Sequence, residues 1–153
     1  MNAQFAACLH ELEPKFSTLL QAKPFKICNT PADIPKSGIY LFSENGAHLY
    51  VGRSANIRNR LKNHCRTHEN TAAFALLLAR QKSGCLTPSY RKAGSRRELM
   101  TQERFREAFF SAIERIKQMD VRVIEESDPI RQTLLELYVS IALGTPRNSF
   151  KTT

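Results

Sequence analysis

The chain has 153 residues and a mass of 17.4 kDa, which fits one domain, since domains most often have roughly 100–150 residues. Hydrophobic residues make up 42% of it and charged residues 24%, an ordinary balance that excludes a disordered or collagen-like chain. The longest apolar run, at 72–79, is far shorter than the roughly 20 residues of a transmembrane helix. We therefore predict a globular protein with no membrane span and no secretion signal.

The charge balance is strongly basic. The chain has 23 Lys and Arg against 14 Asp and Glu, a net charge of +9 that favours a polyanionic partner. Its four cysteines are widely spaced and include no C-x-x-C pair, so the sequence indicates neither a disulfide framework nor a zinc ribbon. Cysteines of this kind fit a reducing compartment, and we predict a cytoplasmic protein.

Apolar periodicity and turn residues predict the elements along the chain. A helix over 2–21 contains Pro14, which should kink or split it. A proline-rich stretch with a short strand at 25–28 leads to a hairpin, because two β-rich runs flank Asn45-Gly46. The remaining predictions are helices over 56–66, 71–82 and 95–119, a strand over 121–126, and a last helix between Asp128 and Gly144.

Two tripeptides bracket the predicted hairpin, Gly38-Ile39-Tyr40 on the first strand and Tyr50-Val51-Gly52 on the second. Each alone has an ordinary reading, since glycine allows close backbone approach and tyrosine is common in strands. Further polar residues follow downstream: Arg60 and His64 one helical turn apart, Glu136 in a polar strip of the last helix, and Asn148 beyond it.

Together these residues resemble the motif set of the GIY-YIG nuclease family, over about residues 25–150. The resemblance implies an α/β fold of the α+β type, with a small antiparallel three-stranded sheet flanked by helices, and metal-dependent hydrolysis of phosphodiester bonds in DNA. Residues 1–24 are then an N-terminal helical segment ahead of a single GIY-YIG-like domain, 25–150. The long separation between His64 and Glu136 indicates a helical insertion at about residues 68–100.

The residue types suit that chemistry, which needs a base, a cation on the phosphate and a metal at the leaving oxygen. We expect Tyr40 to be the general base, with help for its phenol from the metal or a nearby cation. His64 or Tyr50 would position water or the scissile phosphate, and Arg60 would grip the phosphate. Glu136 would be the protein carboxylate on Mg²⁺ or Mn²⁺. Gly38, Gly52 and Asn148 are expected to be structural residues near the site.

The hairpin register tests this assignment, because tyrosines that share a site must point to the same face. A two-residue turn pairs Glu44 with Ala47 and places Tyr40 and Tyr50 on opposite faces. We therefore predict a three-residue loop, 44–46, that sets Tyr40 across from Tyr50, or a bulge with the same effect.

Basic residues gather in two places, around the helix that follows the hairpin and in the expected insertion. Both clusters could follow a nucleic-acid backbone. They comprise Arg53, Arg58, Lys62 and Arg66, and Arg91, Lys92, Arg96 and Arg97.

Two other functions remain open at this point. One is a non-cleaving nucleic-acid-binding accessory module with the same fold, and the other is a protein-interaction domain that uses the amphipathic N-terminal helix. The sequence also leaves open DNA against RNA, the substrate's structure, the pathway, and whether the protein is a dimer.

Overall fold

A computed structural model of the chain describes residues 1–85 and 94–146. The chain forms two compact units. The first comprises Met1–Arg60 and Met119–Thr153, and the second is Leu61–Gln118, so the second is inserted between the two parts of the first. The insertion expected at about residues 68–100 falls inside the second unit. In the described part of the chain, no helix has the length and apolar character needed to cross a membrane.

Helices and strands follow the predicted order. The helices are α1 (Ala3–Gln21), α2 (Ile57–His64), α3 (Ala73–Ser83), α4 (Arg96–Leu99), α5 (Glu103–Lys117) and α6 (Pro129–Leu143). The strands are β1 (Gly38–Glu44), β2 (Ala47–Ser54) and β3 (Asp120–Glu125). They form one sheet in the order β2-β1-β3 with antiparallel neighbours, which confirms the predicted three-stranded sheet.

The β1–β2 hairpin decides where the tyrosines point. Asn45 and Gly46 have φ values of 51° and 81°, as a two-residue type I′ turn requires, so the predicted three-residue loop is wrong. The register shifts after Phe42, which pairs with Tyr50, whereas the next residue pairs with His48. The residue left over on β2 is a β-bulge, and it returns both tyrosines to one face. The bulge alternative is therefore confirmed for the shared face, but the expected pairing of the two tyrosines is wrong, because Tyr40 lies across from Gly52.

The core of the first unit lies between the sheet and two helices. Leu12 and Leu19 of α1 and Leu135 and Val139 of α6 form a buried cluster with Ile39, Leu41 and Val51 of the sheet. Full burial of each such side chain contributes about 1.5–3 kcal/mol, so this layer holds α6 on the sheet. Pro14 does not split α1, which is one helix of 19 residues.

Two local predictions change in detail. The strand expected at 25–28 is a single bridge between Phe25 and Val121, followed by a 3-10 turn at Ile27–Asn29. Ser95 caps a helix by accepting a bond of 3.2 Å from the Glu98 N–H, as expected, but the long helix over 95–119 is broken after Leu99 into α4 and α5.

The second unit has its own core, in which α3 packs on α5. Phe74 from α3 and Phe105, Phe109 and Ile116 from α5 are fully buried or nearly so.

Candidate active site

The centre of the site is Tyr40, on the middle strand of the sheet and 1% exposed. The bulge brings Tyr50 to the same face, with the two ring centroids 6.4 Å apart. Phe42, two residues along β1, packs edge-on to Tyr40 with a centroid distance of 5.8 Å. The two phenols thus sit in an aromatic cluster of three rings, which excludes water from the Tyr40 ring.

Positions 52 and 38 both require glycine, because other atoms of the protein lie where a Cβ would stand. The phenol of Tyr40 lies over Gly52, where an added Cβ would stand 2.2 Å from the Tyr40 hydroxyl oxygen. Gly38 has a φ of 148°, and an added Cβ there would stand 1.9 Å from the carbonyl oxygen of Ile124. These contacts support the structural roles expected for both glycines.

Arg60 reaches the site from α2. Asn56 begins this helix by accepting a hydrogen bond of 3.0 Å from the Asn59 N–H, and Ile57 anchors it through its N–H to the Lys36 carbonyl at 2.8 Å. One turn later, Arg60 Nε donates a hydrogen bond of 3.2 Å to the Tyr40 hydroxyl. The guanidinium is also hydrogen-bonded to Tyr50.

Burial has the largest effect on the pKa of both tyrosines. It raises the pKa of Tyr40 far above the ordinary value of 10, and neighbouring Tyr50 adds to the rise, whereas Arg60 lowers it. Burial likewise raises the pKa of Tyr50 against the opposing effect of Arg60. Burial alone would lower the pKa of Arg60, but the two phenols raise it overall. At neutral pH the site therefore holds two protonated phenols beside a charged guanidinium.

Glu136 comes from α6, which Asp128 caps by accepting a hydrogen bond of 2.8 Å from the Arg131 N–H. The Glu136 carboxylate accepts a hydrogen bond of 3.0 Å from Arg53 Nε, and its side chain is 18% exposed. Burial raises the pKa of Glu136, while Arg53 and then Arg60 oppose the rise. Since Glu136 also raises the pKa of both phenols, its charge acts on the tyrosines as well.

The first unit thus brings together four of the five residues predicted to be catalytic. The fifth, His64, lies in the second unit, where its side chain is fully buried and edge-on to Phe74 at a centroid distance of 6.3 Å. The structure therefore gives His64 a packing contact, and its catalytic role stays a prediction.

The predicted nucleic-acid-binding residues divide into three groups. Arg53 and Arg58 are used inside the first unit, since Arg58 Nη2 donates to the carbonyls of Pro31 and Ala32 at 2.6 and 3.1 Å. These hydrogen bonds fix the loop at Pro31 and Ala32, so Arg58 Nη2 is not available to bind a phosphate. Four others are exposed on the second unit: Lys62, Arg66, Arg96 and Arg97. Asn148, Arg91 and Lys92 lie outside the described residues.

Sequence reasoning missed two members of the site. The sequence predicts that Arg53 contacts the nucleic-acid backbone, but in the structure its guanidinium donates a hydrogen bond to Glu136. Phe42 was not assigned at all, although its spacing of two residues from Tyr40 on a strand already places it on the same face.

The sheet, the phenol–guanidinium pair and the nearby carboxylate form one site in the first unit, and its motifs resemble those of GIY-YIG nucleases. Comparison with known proteins agrees, because residues 36–86 match the family model of the UvrC-like GIY-YIG domain. The match covers about a third of the chain, and it supports the resemblance to the GIY-YIG nuclease family that the motifs implied. The matched range contains Tyr40, Tyr50 and Arg60 but not Glu136, which only the fold brings to the site.

The chain is similar to the UvrABC system protein C of Maricaulis maris (strain MCS10), with 39% identity over 62 residues. That similarity covers 39% of this chain, and the chain spans 10% of the length of the relative. No solved structure matches the chain.

Proposed function

We propose that the protein is a metal-dependent endonuclease that hydrolyses phosphodiester bonds in DNA. The observation that carries this proposal is the contact between Tyr40 on β1 and Arg60 on α2, with the Glu136 carboxylate of α6 acting on both. DNA is supported by the UvrC-like family match and by the net charge of +9.

Tyr40 is the general base in this proposal. Its phenol keeps its proton in the free protein, since burial raises its pKa. The Arg60 Nε–H is directed at the phenol oxygen, which favours the phenolate over the phenol. In the small fraction of molecules whose Tyr40 has lost its proton to solvent, the phenolate would accept a proton from the water that attacks phosphorus.

Arg60 and Arg53 supply the positive charge. Both stay protonated throughout the reaction, and their planar guanidinium groups match the geometry of phosphate oxygens. Placed beside a buried phenol, Arg60 would stabilise the negative charge that builds up on the phosphoryl oxygens in the transition state. Arg53 would orient the Glu136 carboxylate and limit the rise of its pKa.

Glu136 is the candidate metal ligand. Among the described residues, no three His, Cys, Asp or Glu side chains lie close enough together to hold a metal ion. Mg²⁺ does not need such a cluster, because it often binds through one or two carboxylates, with waters and substrate phosphates as its other ligands. A partly exposed carboxylate next to the phenols fits that mode of binding. When bound, Mg²⁺ or Mn²⁺ would supply positive charge for the leaving oxygen.

The proposal is tested by plasmid cleavage with Mg²⁺ and with EDTA. Wild-type protein is compared with Tyr40→Phe, Arg60→Gln and Glu136→Gln, and each variant is expected to lose at least about 100-fold in rate. Tyr138→Phe is the matched control, because this tyrosine bonds Glu13 of α1 away from the phenols. Wild-type cleavage by all three site variants would refute the mechanism. DNA binding by the wild type without cleavage under any metal condition would instead favour the accessory module.

A further inference from the structure

The net charge of the chain is concentrated in the second unit. Residues 61–118 hold 12 of the 23 Lys and Arg but 5 of the 14 Asp and Glu, so they carry +7 of the total of +9. The rest of the chain is close to neutral at +2. An excess of like charge destabilises a compact unit through repulsion unless a polyanion binds it.

The cations of the first unit are largely used within it. Among the described residues of this unit, four form ion pairs: Lys15 with Glu126, Lys26 with Asp120, Arg53 with Glu136, and Arg131 with Glu11. Two further guanidinium groups donate to backbone carbonyls, Arg58 to Pro31 and Ala32, and Arg122 to Ala22. Within residues 1–60 and 119–146, most cationic side chains therefore already have a partner inside the unit.

The second unit contains a polar cleft between α3 and α5. Its volume is about 350 Å³, and it is lined by Lys82, Ser83, Arg104, Glu107, Ala108 and Ser111. Within the described part of the chain, the side chains of Lys82 and Arg104 make no hydrogen bond or ion pair, and both are exposed. Two cations and two hydroxyls are thus directed to one concave surface against a single carboxylate.

The surroundings of Arg80 also show an excess of positive charge in the second unit. Arg80 is buried near the end of α3, two residues before Lys82. Burial lowers the pKa of Arg80, and the positive charge of Arg96 lowers it further. The fold thus holds cationic groups close enough to repel one another.

From these observations we propose that the cleft lined by Lys82 and Arg104 binds the phosphate backbone of nucleic acid, without reading base sequence. Lys82 would act as a point charge and Arg104 as a fork that donates hydrogen bonds to two phosphate oxygens, with Ser83 and Ser111 as further hydroxyl donors. The negative charge of Glu107 would repel the phosphate and weaken its binding. The proposal rests on the proposed function only for its choice of DNA as the polyanion.

Binding of a fluorescent DNA duplex by the full chain, measured by anisotropy in EDTA, tests this assignment. Each phosphate contact contributes about 0.9 to the slope of log affinity against log salt, so removing one cation lowers the slope by about one. The double variant Lys82→Gln/Arg104→Gln is expected to lose about two from the slope and to bind more weakly for every duplex sequence. Glu107→Gln is expected to bind more tightly.

Arg106→Gln is the matched control. Like the Arg104→Gln half of the double variant, it removes one positive charge from α5, but successive residues turn by about 100°, so position 106 faces away from position 104. A slope unchanged in the double variant would overturn the proposal. A slope loss of about one in Arg106→Gln, half that of the double variant, would also overturn it, because net charge and not the cleft would then explain binding.

The binding experiment does not depend on the nuclease proposal, since it is done in EDTA and no DNA is cut. Tyr138→Phe, which changes no residue of the site or the cleft, is expected to bind DNA with the wild-type slope. If Tyr40→Phe cleaves like the wild type while the cleft variants lose binding, the mechanism fails and the cleft stands.

Discussion

Arg53 Nε and Glu136 Oε2 are joined by a hydrogen bond of 3.0 Å across 83 residues of sequence, from the end of β2 to the second turn of α6. The carboxylate is the more enclosed partner, since the Glu136 side chain is 18% exposed and that of Arg53 is 45% exposed. Burial already raises the pKa of Glu136, and Arg53 opposes that rise. The guanidinium therefore compensates for burial of the carboxylate.

We expect Arg53→Gln to lower the free energy of unfolding at neutral pH by about 1 kcal/mol, a modest value because half of the guanidinium is in solvent. A double-mutant cycle with Glu136→Gln, followed by urea unfolding, measures the pairwise part. The loss should nearly vanish in the Glu136→Gln background. Equal losses in the two backgrounds would show that the ion pair does not stabilise the fold.

Glu136→Gln alone should separate stability from activity. A carboxyl whose pKa is raised in the folded state binds its proton more tightly there than in the unfolded chain, so stability falls as pH rises from the unfolded pKa to the folded pKa. At neutral pH the charged Glu136 is therefore a cost, which a neutral glutamine removes. We expect a higher Tm at neutral pH, together with loss of cleavage.

The same variant should lose its advantage in acid. Below the ordinary carboxyl pKa, near 4, Glu136 is protonated in both states, and the two proteins should have nearly equal Tm values. Thermal unfolding followed by circular dichroism across this range measures the difference. A Tm difference that is independent of pH would mean that packing, and not charge, distinguishes glutamate from glutamine.

Much of the site was predictable because its spacing follows from regular geometry. Asn45-Gly46 predicts a tight turn, and the demand that both tyrosines share a face predicts a bulge or a longer loop. The choice between these two was beyond the sequence, since the bulge places Leu49 between the residues that pair with Phe42 and Ser43, and no local turn pattern predicts such an extra residue.

The roles of other residues depend on hydrogen-bond partners elsewhere in the chain, which no local sequence pattern predicts. Arg58 reads as a phosphate-binding residue until the carbonyls of Pro31 and Ala32 are seen to accept its hydrogen bonds. On α6 the polar residues Gln132 and Ser140 are buried, while Ile141 is 71% exposed, the reverse of what hydrophobicity predicts. Gln132 can be buried because its amide donates to the Glu126 carbonyl at 2.6 Å.

Gly52→Ala should disable the site through Tyr40. The new methyl group would stand 2.2 Å from the phenol oxygen and 2.3 Å from Cζ, so the ring must move and its bond to Arg60 is lost. Overpacking of this kind costs about 1–3 kcal/mol of stability. We expect cleavage to fall by at least about 100-fold, measured as the single-turnover rate at saturating enzyme.

Gly46→Ala is the control for that experiment. Nothing lies within 4 Å of the added Cβ, but the φ of 81° is unfavourable for alanine, so stability should fall by about 1 kcal/mol. The cleavage rate of the folded protein should stay at the wild-type value. A similar loss of cleavage in both variants would trace the effect to stability and not to the Tyr40 ring.

The pH dependence of cleavage tests Tyr40 as the base. Because burial holds the pKa of this phenol above its ordinary value, only a small fraction is deprotonated near neutrality, and that fraction grows tenfold with each pH unit. The single-turnover rate should therefore rise about tenfold per unit between about pH 6 and about pH 9. Arg60→Gln removes the cation that lowers the pKa of Tyr40, so its residual rate should be lower throughout and should keep rising at more alkaline pH than the wild type. A wild-type rate that does not change over this range would exclude Tyr40 as the proton acceptor, because its protonation state could not then limit the reaction.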